Sequence, residues 1–326
     1  MRLLKARLDG SFTLTKDLIT HIPPYAILSH TWGADDEEVS FQDIVNGAGK
    51  QKAGFRKIVF CGRQAASDGI EHFWVDTCCI DKSSSAELSE AIISMFRWYR
   101  DAKRCYVYLP DVPCDKPHRG VSDSGEVNPD RAWETAFRRS RWFTRGWTLQ
   151  ELLAAPIVHF FSQDELYLGS KTSLQSLIHE ITQIPIPCLQ EAKFESFTVQ
   201  ERMLWSSGRI TSREEDMAYC LQGLLGVTLA PLYGEGKDSA MLRLRQAVAA
   251  QSHVDRLPHS IHSERLGSAH TKPVISSPAI STVPMLRDAW FVERPDILNW
   301  LQEHTVNPGN RAALVGLGGI GYVLQP

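Results

Sequence analysis

The strongest constraint on this chain is a rhythm in its first 110 residues, where strand-like runs alternate with helix-like ones. Residues 25–29 (YAILS) are apolar or small and read as a short buried strand. Residues 52–68 carry a helical pattern, with Phe55, Ile58, Val59 and Arg63 near one face. Residues 73–80 (FWVDTCCI) are aromatic and β-branched and read as a second strand. Residues 86–102 place Leu88, Ile92, Met95, Phe96 and Tyr99 on one helical face, and Ser84 with Glu87 forms an S-x-x-E capping box before them. Residues 105–109 (CYVYL) make a third strand, stopped by Pro110. Strand, helix, strand, helix, strand predicts an α/β fold: a parallel sheet flanked by helices.

The rest of the chain elaborates that frame. Residues 111–130 are rich in Pro, Gly and Asp and read as a loop. A helix opens after them, and Phe137, Trp142, Phe143 and Trp147 crowd into eleven residues. Their spacing suits a core or an interface. Arg141 and Arg145 beside them are placed to pair with Glu151 or with a ligand phosphate. Residues 148–155 resume as a helix ending at Pro156, and 157–168 read as a β-hairpin. Helices are predicted at 171–184, 198–206, 212–227 and 238–251. Residues 252–288 turn to Ser, His, Pro and Thr and read as a flexible linker. A helix and a glycine-ended strand follow.

Composition narrows the classes. A net charge of −3 offers no basic surface for nucleic acid. No run approaches the roughly 20 apolar residues of a membrane span. Cys61, Cys78, Cys79, Cys105, Cys114, Cys188 and Cys220 show neither a C-x-x-C pair nor an even framework. They suit reduced thiols in the cytosol, and no zinc or other metal site is expected.

Four blocks taken together are distinctive: YAILSHTWG (25–33), residues 73–109, SRWFTRGWTLQELLAAP (140–156), and TSREEDMAYCLQGLLGV with LYGEG (211–236). In this order they resemble the fungal heterokaryon incompatibility (HET) domain, over residues 1–250. The resemblance implies a cytoplasmic effector of programmed cell death in self/non-self recognition. Its implied partners are proteins: a second copy or a related receptor. Residues 289–326 resemble the start of an NB-ARC or STAND nucleotide-binding domain, so the chain is expected to be a shortened form of a longer receptor. There Tyr322 and Val323 stand where a phosphate-binding loop needs Lys and Ser or Thr, so ATP or GTP binding is not expected.

A parallel sheet also locates a site, because ligands of open α/β sheets bind outside the carboxyl ends of the strands. Ser29, His30 and Trp32 end the first strand, and Asp76, Cys78 and Asp81 lie at the end of the second. These six residues are the candidate ligand-binding set. The order of elements also resembles the Toll/interleukin-1 receptor (TIR) fold, some members of which cleave NAD at the nicotinamide–ribose bond. That likeness implies NAD(P) as a substrate, and it points to Glu90, with Glu87 as the neighbouring candidate, for the catalytic carboxylate. Each residue also has a plainer reading. Glu87 caps a helix, Glu90 is a solvated helix face, His30 and Asp81 are turn residues, Trp32 covers a sheet edge, and Cys78 is packed. Two other functions stay open: a non-catalytic oligomerising module, and a cysteine hydrolase pairing Cys78 or Cys79 with His30.

Overall fold

The computed structural model describes residues 1–7, 10–114, 132–191, 194–254, 312–315 and 321–324. The chain divides into two units, Met1–Ser260 and Ile261–Pro326. In chain order the first unit contains β1 (Leu4–Ala6), β2 (Phe12–Leu14), β3 (Tyr25–His30), α1 (Phe41–Val45), α2 (Phe55–Ser67), β4 (His72–Trp74), α3 (Ser85–Asp101) and β5 (Arg104–Tyr108). It continues with α4 (Ala132–Arg139), α5 (Trp147–Ala154), β6 (Val158–Phe161), β7 (Tyr167–Ser170), α6 (Gln175–Thr182), α7 (Ile186–Glu191), α8 (Val199–Leu204), α9 (Asp216–Tyr219), α10 (Gln222–Leu225) and α11 (Lys237–Val254).

Seven strands form one sheet in the order β2-β1-β4-β3-β5-β6-β7. Its centre is parallel, as the alternating elements require: β3 pairs in parallel with both β4 and β5, and β5 pairs in parallel with β6. The parallel-sheet expectation fails at one edge, where β1 and β2 run antiparallel. At the other edge β7 is antiparallel, as a hairpin strand must be. The hairpin expected at 157–168 is the β6–β7 pair. Strands β1 and β2 have three residues each, too few to show a period.

β3 is buried along its whole length, the mark of a central strand covered on both faces. Helix α2 lies on one face, where Phe60 packs at 5.2 Å on Tyr108 and 5.0 Å on Phe161. Helices α3 and α5 lie on the other, where Tyr99 donates to the Leu28 carbonyl at 2.9 Å and Trp74 packs on Trp98 at 5.5 Å. The aromatic block of 137–147 is largely core: Phe137, Trp142 and Phe143 are buried, and Trp142 meets Phe160 at 5.6 Å.

Two local expectations are corrected. The second strand stops at Trp74 rather than running to 80, because the Cys78 and Cys79 amides turn back onto the Val75 carbonyl at 3.3 and 2.9 Å. Asp76 therefore sits in a turn and not inside a strand. The capping box before α3 is half formed. Ser84 accepts from the Glu87 amide at 3.3 Å, but the Glu87 carboxylate turns to the Asp81 amide at 2.8 Å and to Arg2.

The segment expected as one helix at 212–227 is two short helices, α9 and α10. Its acidic residues tie the LYGEG turn down. Glu215 accepts the Gly234 and Gly236 amides at 2.7 and 3.3 Å, while Asp216 accepts Tyr233 Oη at 2.9 Å and Trp147 Nε1 at 3.1 Å. On α10, a β-carbon on Gly223 would lie 2.3 Å from Phe96 Cβ. Gly223→Ala is expected to cost about 1–3 kcal/mol through overpacking, read as a lower denaturant midpoint with an unchanged slope.

In the second unit, Ala312–Val315 (β8) and Gly321–Leu324 (β9) pair antiparallel. Tyr322 and Val323 thus lie on a returning strand. The expected linker at 252–288 falls almost wholly outside the described residues, as does the helix expected before β8.

Candidate functional site

The carboxyl edge of the parallel strands gathers part of the candidate set around one carboxylate. β3 ends at His30, and the turn after β4 presents Asp76. His30 Nε2 donates to Asp76 Oδ1 at 2.9 Å, and Trp32 Nε1 donates to Asp76 Oδ2 at 2.7 Å. Burial acts to raise the Asp76 carboxyl, but the His30 ring, Lys82 and the Trp32 N–H outweigh it and hold it at about 2. Asp76 is therefore an anion that orients an imidazole and an indole together. The His30 ring is buried, and its Nδ1 has no partner among the described residues. Lys82 Nζ stands 3.6 Å over the Trp32 ring, a cation–π contact.

On the opposite face of β3 lies a second polar centre. Ser29 Oγ donates to Glu151 of α5, and Trp142 Nε1 donates to the same Ser29 Oγ at 2.8 Å. Burial pushes the Glu151 carboxyl up to about 8, helped by the Asp76 charge and opposed by Ser29, Tyr99 and Arg209. Glu151 is thus a carboxylic acid, largely protonated at neutral pH. Arg209 is buried nearby, with Nη1 donating to the Arg145 carbonyl at 2.8 Å and to Thr148 Oγ1 at 3.0 Å. Its Nη2 and the neighbouring Gln150 Nε2 are buried without partners among the described residues.

The remaining candidates fall elsewhere. Asp81 accepts the Ser83 amide at 3.0 Å and the Ser83 hydroxyl at 2.6 Å, a turn role. Cys78 is fully buried, and burial drives its thiol well above the ordinary range. Cys79 Sγ accepts the Val75 amide at 3.3 Å, and no hydrogen bond joins either thiol to His30 among the described residues. The thiol–base pair on which a cysteine nucleophile relies is thus not formed among the described residues. Glu87 and Glu90 border a cavity of about 260 Å³ beside α3. Trp32 instead lines a cleft of about 830 Å³, walled by Thr31, Tyr108 and the residues leading into α2.

Three features escaped sequence reasoning. Glu37 and Glu38 line the larger cleft, and Lys57 from α2 pairs with Glu38 and donates to the Thr31 carbonyl at 3.0 Å. The third is Glu151 as a buried acid. Its only sequence signal was a carboxylate inside the apolar run TLQELLAAP. Neither Arg141 nor Arg145 pairs with Glu151: Arg145 donates to Ser212 Oγ at 2.7 Å. No cluster of His, Cys, Asp or Glu with metal-ligand geometry occurs among the described residues. None of the described helices is long and apolar enough to cross a membrane.

Fold and site together define an α/β module with a mixed seven-stranded sheet and a polar cleft at the carboxyl edge of its parallel strands. Residues 25–151 match the family model described as heterokaryon incompatibility protein (HET), so this part of the chain is a HET domain. It is 52% identical over 249 residues to vegetative incompatibility protein HET-E-1 of Podospora anserina, covering 76% of this chain and 18% of that protein. The chain thus spans under a fifth of the length of this curated relative. No solved structure matches it.

Proposed function

We propose that this chain is an effector of heterokaryon incompatibility that acts in the cytoplasm and triggers programmed cell death, by TIR-like cleavage of NAD(P). The HET domain and the identity to HET-E-1 support the incompatibility role. The observation that carries the chemical reading is the convergence of His30 and Trp32 on Asp76, at the sheet edge where α/β folds bind ligands. An oriented indole suits stacking on a nicotinamide or adenine ring. The module would work through protein contacts, with a second copy or a related receptor. Residues 1–250 would be the effector, 251–288 a linker, and 289–326 the beginning of an NB-ARC or STAND domain.

The test is to incubate the purified chain with NAD and follow nicotinamide release, as the free chain and after forced oligomerisation. Release is expected from wild type. Glu90→Ala and Glu87→Ala are assayed alongside, and release equal to wild type would remove those two carboxylates from the reaction without touching the reading. If wild type releases nothing in either state, the non-catalytic oligomerising module takes its place. That alternative draws support from the commitment of Glu87 to Arg2 and the Asp81 amide.

A further inference from the structure

Glycosidic cleavage needs a carboxylate beside the ribose, and the cavity bordered by Glu87 and Glu90 does not include Trp32. The larger cleft has carboxylates of its own. Resting on the reading proposed above, we infer that this cleft is the substrate site, that Glu37 is the catalytic carboxylate, and that Lys50 and Arg141 take the phosphates.

The cleft's charged groups divide by whether they are already committed. Glu38 is 8% exposed, accepts the Gly33 amide at 2.7 Å and pairs with Lys57. Lys52 pairs with Asp43 at 2.8 Å, and Arg56 donates to the Gln163 carbonyl at 2.6 Å and pairs with Glu165. Among the described residues, the side chains of Glu37, Lys50 and Arg141 have no hydrogen-bond or ion-pair partner. Asp164, also in the lining, accepts the Cys114 amide at 3.4 Å. Among the described residues, one carboxylate and two cations without a partner, together with an indole, therefore share about 830 Å³, within the size range of cofactor pockets. That set matches a ligand with a ring, a ribose and phosphates.

The Glu37 backbone is also held in place, and the Glu37 carboxylate lies beside Trp32. Its Oε2 lies 3.2 Å from where a β-carbon on Gly33 would stand, next to Trp32. The Gly54 amide donates to the Glu37 carbonyl at 2.9 Å, fixing the Glu37 backbone against the start of α2. A β-carbon on Gly54 would lie 2.5 Å from Glu38 Oε2 and 2.9 Å from the Glu37 carbonyl, so glycine is what permits this approach. Lys82 covers one face of Trp32 but does not line the cleft, which leaves the other face for a ring.

In the step itself, the bond from the ribose carbon to the nicotinamide nitrogen breaks. Its electron pair stays on the nitrogen, and nicotinamide leaves neutral. Glu37 stabilises the cationic ribose, the oxygen of a water molecule bonds to the ribose carbon, and the water's proton passes to Glu37 and on to solvent.

The test uses the full chain with NAD, reading nicotinamide release for kcat and KM and tryptophan fluorescence for binding. Glu37→Gln is expected to lower kcat by about 100-fold or more with KM little changed. Arg141→Gln is expected to raise KM about tenfold with kcat near wild type. Glu37 is exposed, so matched circular dichroism and melting curves should show the variant folded. Release from Glu37→Gln within about threefold of wild type, where general acid–base loss should reach 100-fold, overturns the assignment alone. A loss confined to variants of Glu87, Glu90 or Glu151 does the same. No release from wild type overturns both the assignment and the reading beneath it.

Discussion

Glu151→Gln is expected to make the protein more stable at pH 7 and to remove a descending limb from its stability profile. The Glu151 carboxyl is buried, and burial raises it from 4.5 to about 8. A folded state that holds its proton more tightly than the unfolded chain loses stability as pH rises between those two values. Wild type is therefore expected to be most stable with respect to this group below about pH 4.5, to weaken up to about pH 8, and to stay level beyond. At pH 7 the penalty is on the order of 3 kcal/mol, since each pH step above the unfolded value is about 1.4 kcal/mol. Glutamine is neutral at every pH, has nearly the same shape, and still accepts the Ser29 hydroxyl. Denaturant midpoints at pH 5 and pH 8 decide the matter. The gap between variant and wild type should widen with pH, and parallel profiles would sink the account. Glu151→Ala should behave in the opposite way, because it leaves a cavity and strips Ser29 of its acceptor.

Asp76→Ala should be the more damaging change at the carboxyl edge. The carboxylate is 20% exposed and joins a His30 ring that is 2% exposed to the Trp32 indole. Removing it leaves the buried His30 N–H without an acceptor, at a cost of about 1–3 kcal/mol, and hands the exposed Trp32 N–H to solvent. The pH dependence has the opposite sign to that of Glu151. The Asp76 carboxyl is held at about 2 against an ordinary 3.8, so its contribution is fully present above about pH 4 and is lost as pH falls through 2. The variant should lose that acid limb, and Trp32 emission should move as its N–H is released to solvent. Asp76→Asn separates the two roles, since its amide oxygen can serve one donor but carries no charge. An Asp76→Ala protein with unaltered midpoint and emission would show that Asp76 does not organise the site.

These two carboxylates were unequally visible before folding. Asp76 stood out because it interrupts FWVDTCCI, and an acidic residue beside apolar strand residues needs a partner. Ser29, His30 and Trp32 were placed by the rule that α/β sheets bind ligands at strand carboxyl ends, and His30 and Trp32 do meet Asp76. Glu151 was visible only as a charge near two arginines. Its partner Ser29 is 122 residues away, and the arginine that influences it is Arg209. Glu37 and Glu38 lie in GADDEEVS, which looks like any solvated turn until α2 closes over it and Lys57 reaches Glu38.

The fold divides along the same line. Side-chain periodicity is a local property, and it was enough to call for the central strands β3 and β5, the helices α2, α3, α5 and α11, and the β6–β7 hairpin. It also gave the parallel centre of the sheet, because a helix between two strands carries the chain back to the same end. The antiparallel β1–β2 edge, the early stop of β4 at Trp74, and the split of 212–227 into α9 and α10 depended on contacts the local pattern does not encode. By itself the sequence determined which segments had to be buried and at which end of the strands polar residues collect. Only the tertiary structure decided which charges meet there. Desolvation and pairing act over a few ångströms in space, and the closures that bring Ser29 to Glu151 and Lys57 to Glu38 span 122 and 19 residues of chain.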